Sequence, residues 1–175
     1  MSGKITEVKC FTLQVPFVDR IREEMERAGI HTWSELEITR VTTDAGIIGW
    51  GETIQNYTWG RVSAHQRIVG RSPFETMWDD SLGAGLQMAL FDAAGKLAEV
   101  PVYRLLGTKC RDWCAISFWD HDMSPEKYET EARTAVDLGY TCMKIKTRPW
   151  FDVYETIRRI SDATPEHFRI DADWN

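Results

Sequence analysis

The chain has 175 residues, with 43% apolar and 27% charged side chains and only 12 Gly and 6 Pro, which excludes a disordered or fibrous protein. Its 21 Lys and Arg against 27 Asp and Glu give a formal charge of −6 with no long run of either sign, so neither nucleic acid nor an anionic membrane surface is expected as a partner. No apolar stretch approaches the roughly 20 residues needed to span a bilayer, and residues 1–7 lack the apolar core of a secretory signal, so a cytoplasmic location is expected.

Residues 4–18 alternate and are β-prone, with Ile5, Cys10, Phe11, Leu13 and Val15 as apolar members. Glu35–Thr43 and residues 47–53 read as two more strands, joined by Asp44-Ala45-Gly46. A short connection with glycine signals a hairpin, so this half opens as an antiparallel sheet. The polar stretch 19–31, with alternating charges at Arg20, Arg22, Glu23, Glu24, Glu26 and Arg27, is open to three readings: solvated helix, mobile loop or plain surface connection.

Helical periodicity takes over at residues 85–99, where Leu86, Leu90, Ala93, Ala94 and Leu97 recur at three- and four-residue steps and mark a buried face. Pro101 ends that helix, and a further turn over 102–106 is closed by Gly107. Sheet first and helices after predict an α+β domain over residues 1–110.

Residues 111–175 alternate strand and helix, which implies parallel strands with helical crossovers. The strands are expected at 114–119, 141–146 and 168–173. One helix is capped by Ser124 with Pro125 at its first position and stopped by Gly139; the next runs from about Asp152 through Ile157 and Ile160. Three such strands leave a free edge and a partly bare face, which soluble proteins seldom tolerate, so the sequence reads as cut within a repeating pattern.

Four cysteines (Cys10, Cys110, Cys114, Cys142) form no CxxC pair and have no histidine at zinc-ligand spacing, so they are read as reduced residues. GxGxxG, P-loop and GxSxG motifs are absent. The chemistry sits instead on two strands. In Thr141-Cys142-Met143-Lys144-Ile145-Lys146 the two-residue period puts Met143 and Ile145 on one face and Cys142, Lys144 and Lys146 on the other. If helices cover the apolar pair, both lysines point inward, and neighbouring ammonium groups disfavour each other's charge, which suits one of them to act as a base. A solvent-facing edge strand whose lysines discourage aggregation is the competing reading. In residues 169–175, Asp171 and Asp173 share a face toward the strand's C-terminal end, where parallel α/β folds place their sites. They read equally as a hard-cation ligand such as one for Mg2+ or as a salt-bridged strand end.

Two sets of tripeptides then combine. The helix 84–97 followed by Pro101 and Leu105-Leu106-Gly107, with the hairpin end Gly49-Trp50-Gly51-Glu52, resembles the capping domain of the enolase superfamily in its mandelate racemase and muconate lactonising branch. Lys144-Ile145-Lys146 resembles that branch's Lys-x-Lys strand, and Asp173-Trp174-Asn175 its Asp-x-Asn strand. The resemblance covers essentially the whole chain. It implies an α+β capping domain followed by the start of an α/β (β/α)7β TIM-like barrel, truncated after the third barrel strand, since such a barrel takes roughly 250 residues.

It implies further a reaction that removes a proton α to a carboxylate to give an enediolate stabilised by Mg2+. By position Lys146 resembles the general base, Lys144 its partner, and Asp173 the first metal ligand; an alignment shifted by two would give that role to Asp171. The cap segments 19–33 and 55–60 would close over the site, which makes Arg20, Arg22, Asn56, Tyr57 and Trp59 candidates for substrate contact, with packing or solvation as the rival reading. Trp119-Asp120-His121-Asp122 imitates a metal cluster, yet adjacent strand residues point opposite ways. The function expected is an acid-sugar dehydratase acting on a small carboxylate, with racemase, epimerase or cycloisomerase chemistry as alternatives and a homo-oligomer when complete. A different class remains open: a catalytically incomplete fragment.

Overall fold

The computed structural model describes residues 3–54 and 65–174. They divide into two units, residues 3–16 with 31–112, and residues 17–30 with 113–174.

In the first unit, β1 (Ile5–Gln14), β2 (Glu35–Thr43) and β3 (Ile48–Ile54) form an antiparallel sheet in the order β1-β2-β3. The first strand is shorter than the alternation of residues 4–18 suggested, ending at Gln14. Short helices α2 (His65–Ile68) and α3 (Pro73–Thr76) lead to α4 (Ala84–Leu97), and α5 (Tyr103–Leu106) follows. Helix α4 lies on the sheet with Leu86, Ala89, Leu90 and Ala94 buried against Ile5 and Val41. The approach is close because Gly49 and Gly51 have no side chain there: a Cβ on Gly49 would stand 2.1 Å from the Ala89 carbonyl oxygen. Lys96 Nζ and the Trp50 backbone N–H both donate to Asp92 Oδ2, at 2.7 and 2.8 Å, and hold the helix along β3.

In the second unit, β4 (Phe118–Trp119), β5 (Cys142–Lys146) and β6 (Arg169–Asp173) form a parallel sheet in that order. Helices α6 (Pro125–Asp137) and α7 (Val153–Ala163) connect the strands and pack on each other. Met143, Ile145, Tyr128, Ala132, Ala135 and Ile160 form the dry interior. Ser124 and Asp152 cap the two helices, their side chains accepting from the Lys127 and Glu155 N–H groups.

One further feature departs from the sequence reading. The first parallel strand is two residues long rather than 114–119, because Trp113, Cys114 and Ile116 stay exposed and have no neighbouring strand. Of the three readings of the stretch after β1 the structure takes the helix, α1 (Asp19–Arg27), with Ile21 and Met25 buried. The segment 17–30 groups with the second unit. The four cysteines form no disulfide, and no described helix is long and apolar enough to cross a membrane.

Candidate functional site

The alternation of β5 has the consequence expected of it. Met143 and Ile145 are buried, while the side chains of Lys144 and Lys146 leave the other face and keep 39% and 13% of their exposure. In the register of β5 against β6, Lys146 stands beside Asp173 and Lys144 beside Asp171. The long Lys144 stem nevertheless reaches diagonally toward the strand end. Both ammonium groups meet the same carboxylate oxygen: Lys144 Nζ is 2.8 Å and Lys146 Nζ 2.9 Å from Asp173 Oδ2. Asp171 is set apart. Its Oδ2 accepts from Ser117 Oγ at 2.9 Å and from Cys142 Sγ at 3.3 Å, nearer the start of the strand. Burial raises the Cys142 thiol above its ordinary range, so it stays a thiol, and a weak nucleophile, at neutral pH.

Backbone bonds fix the tip of the sheet. Thr147 donates to the Asp173 carbonyl through both N–H and Oγ1, at 2.9 and 2.7 Å. The buried Tyr128 hydroxyl of α6 donates to the His121 carbonyl at 2.7 Å and accepts from the Lys146 N–H at 3.0 Å. A helix side chain thus sets the height of Lys146. In sequence Tyr128 reads only as one apolar position on a helix face, with no signal for this role.

The 120–122 segment is not a metal cluster. Asp122 pairs with Arg148 at 2.7 Å, and Asp120 turns to Arg20. His121 is buried, and burial pushes its imidazole below the ordinary value; Asp122 opposes this, while Arg148 and Lys146 reinforce it.

The two arginine candidates pair with carboxylates other than Asp173. Arg20 Nη1 bonds to Asp120 Oδ1 at 2.9 Å and to Glu131 Oε2, with its guanidinium 4.4 Å over the Phe118 ring. Arg22 pairs with Asp19 on the exposed side of α1. Asn56, Tyr57 and Trp59 fall outside the described residues.

A hard divalent cation gathers about six oxygen ligands. Among the described residues no three His, Cys, Asp or Glu side chains stand together as such a group. Asp173 offers one carboxylate, with one oxygen shared by two ammonium groups. The described residues therefore do not by themselves fit a complete Mg2+ site.

No protein-family model matches the chain. Among curated proteins it is similar to the D-galactonate dehydratase of Verminephrobacter eiseniae, 29% identical over 154 residues, which is 76% of this chain and 40% of that protein. It is also similar to the N-succinyl-L-Arg/Lys racemase of Bacillus cereus, 24% identical over 179 residues, 90% of this chain and 47% of that one. In fold it resembles a mandelate racemase/muconate lactonizing enzyme from Roseiflexus sp., with a TM-score of 0.77 at 16% identity, over 100% of this chain and 52% of that one. A dipeptide epimerase from Methylococcus capsulatus, complexed with Mg ion, gives 0.74 at 20% identity over 97% and 52%. The chain thus spans about half the length, or less, of the proteins it matches.

Proposed function

We propose that this chain, whose relatives and structural neighbours lie in the mandelate racemase and muconate lactonising branch of the enolase superfamily, is the capping domain and opening barrel strands, residues 111–175, of an acid-sugar dehydratase. The observation that carries this reading is the convergence of Lys144 and Lys146 on Asp173 at the C-terminal ends of β5 and β6, supported by the D-galactonate dehydratase relative.

In this reading Lys146, the more enclosed lysine, takes the proton α to the substrate carboxylate on its unprotonated Nζ. Lys144 keeps a positive charge beside the substrate carboxylate and, with Lys146, holds Asp173 in place. Loss of the neighbouring hydroxyl as water then leaves a carbon–carbon double bond, with the departing oxygen's proton supplied by an acid from outside the described residues. Mg2+ is the cofactor the reading calls for, and bound there it would stabilise negative charge gathering on the substrate carboxylate. Asp173 would give it one oxygen; the remaining ligands have to come from outside the described residues. Arg22, Asn56, Tyr57 and Trp59 stay candidates for substrate contact. Arg20, held by Asp120 and Glu131, is the weakest of that set.

Racemisation or epimerisation is the second reading, favoured by the racemase whose alignment spans 90% of this chain; cycloisomerase chemistry begins with related steps at the same centre. Mass analysis of the product separates them, since dehydration loses water and inversion changes no mass. The 175 residues alone are proposed to be catalytically incomplete.

Replacing Lys146 by Ala in the complete enzyme tests the assignment. Exchange of the substrate α-proton with solvent deuterium should fall by at least about 100-fold, the lower end of what a positioned base contributes, with the circular dichroism spectrum unchanged. Undiminished exchange would remove Lys146 from the reaction.

A further inference from the structure

Helix α1 is pinned through a cluster with an unbalanced charge. Arg20 of α1 brings one guanidinium between two carboxylates of the same unit, Asp120 after β4 and Glu131 on α6. Both are buried: Asp120 has 0% of its surface exposed and Glu131 3%. One arginine, which keeps 34% of its side-chain exposure, therefore faces two carboxylates that are closed to water. Only Oδ1 of Asp120 is bonded to the arginine, and Oδ2 is buried with no hydrogen-bond partner among the described residues. Lys127 and Tyr128 of α6 also face Asp120, the first attracting its charge and the second an uncharged phenol. Neither supplies a bond to the orphan oxygen. A carboxylate left in this state is costly to bury, and an uncharged carboxyl far less so.

We infer that Asp120 is a buried proton site, and that the proton it holds latches helix α1 onto the second unit. Arg20 remains bonded to Glu131 and to Asp120 Oδ1, so the proton closes the latch by removing the Asp120 charge that Glu131 opposes. Losing the proton leaves a buried carboxylate, and release of α1 then lets water reach it, a gain that outweighs the lost Arg20 pair because burial acts on Asp120 more strongly than the arginine does; the remaining hold on α1 is the burial of Ile21 and Met25. Burial, reinforced by Glu131 and opposed by Arg20, raises the Asp120 carboxyl from 3.8 to about 7, which places the transition near neutrality.

The sign follows from proton counting. Between pH 4 and 7 the docked state binds more protons than the released or unfolded one, so docking weakens as pH rises through that range and is weakest above pH 7. With release exposing Asp120 to water as an ordinary aspartate, the ratio of docked to released α1 falls about 30-fold between about pH 5.5 and 8.5.

The test is hydrogen exchange on the full chain, reading amides of residues 17–30 after correction for intrinsic rates, together with a carbon-13 titration of the Asp120 carboxyl. Protection of α1 should fall about 30-fold over that range, and the Asp120 carboxyl should titrate well above the ordinary aspartate range. Asp120→Asn, which cannot ionise, should keep α1 protected with no pH dependence, and Arg20→Met should lose protection at both ends. The inference is overturned if Asp120 titrates near 4, if the wild-type protection is flat with pH, or if a folded Asp120→Asn still shows the drop. Should that variant not fold, the wild-type titration and exchange decide alone.

Discussion

Replacing Gly51 by Ala should break the seam between helix and sheet in the first unit. A Cβ at Gly51 would lie 2.0 Å from the Gly85 carbonyl oxygen, 2.6 Å from the Ala89 nitrogen and 2.8 Å from Met88 Cβ. Two of those obstacles are backbone, so no rotamer change relieves the clash and α4 has to move off β3 by about 1 Å. Overpacking of a filled core costs about 1–3 kcal/mol, and rigid obstacles put this case at about 3. For a chain of this size that lowers the melting temperature by about 6–12 °C. Gly46→Ala is the control. Gly46 has a φ of 76° with nothing within 4 Å of its would-be Cβ, so the cost is backbone strain alone, about 1 kcal/mol. Urea unfolding followed by circular dichroism, with hydrogen exchange on β1 to β3 to locate the loss, measures both. A Gly51→Ala variant within about 0.5 kcal/mol of wild type, or less affected than Gly46→Ala, would refute the packing argument.

In the complete enzyme proposed above, calorimetry should show Asp173→Asn weakening Mg2+ binding far more than Asp171→Asn, since only Asp173 lies at the lysines; the reverse order transfers the ligand role to Asp171. The 175-residue chain itself should bind Mg2+ weakly and dehydrate no sugar acid, which titration and a sugar-acid panel check. Tyr128→Phe should cost about 1–3 kcal/mol in denaturant unfolding, because the buried His121 carbonyl and Lys146 N–H both lose their partner. Asp152→Ala should cost about 1 kcal/mol through loss of the α7 cap, measured in the same way.

Much of the site was legible in the residues themselves. Strand alternation fixed which face Lys144 and Lys146 occupy, because neighbouring side chains on a strand must point to opposite sides. The helix cap at Ser124 and the buried stripe of α4 are equally local, each settled within a few residues by backbone geometry and apolar spacing. Asp171 and Asp173 could not be told apart that way, since both lie on one face of one strand. Their difference comes from what β5 brings alongside: the register sets Lys146 beside Asp173, and the reach of Lys144 does the rest. The pinning of α1 is further from sequence still. Arg20 meets Asp120 and Glu131 across separations of 100 and 111 residues, and an alternating charge pattern carries no information about so distant a partner. Sequence alone therefore determined the elements and the faces of their side chains, where short-range sterics and burial suffice. Tertiary structure decided which charges meet and which are closed off from water, because both depend on where the chain returns in space.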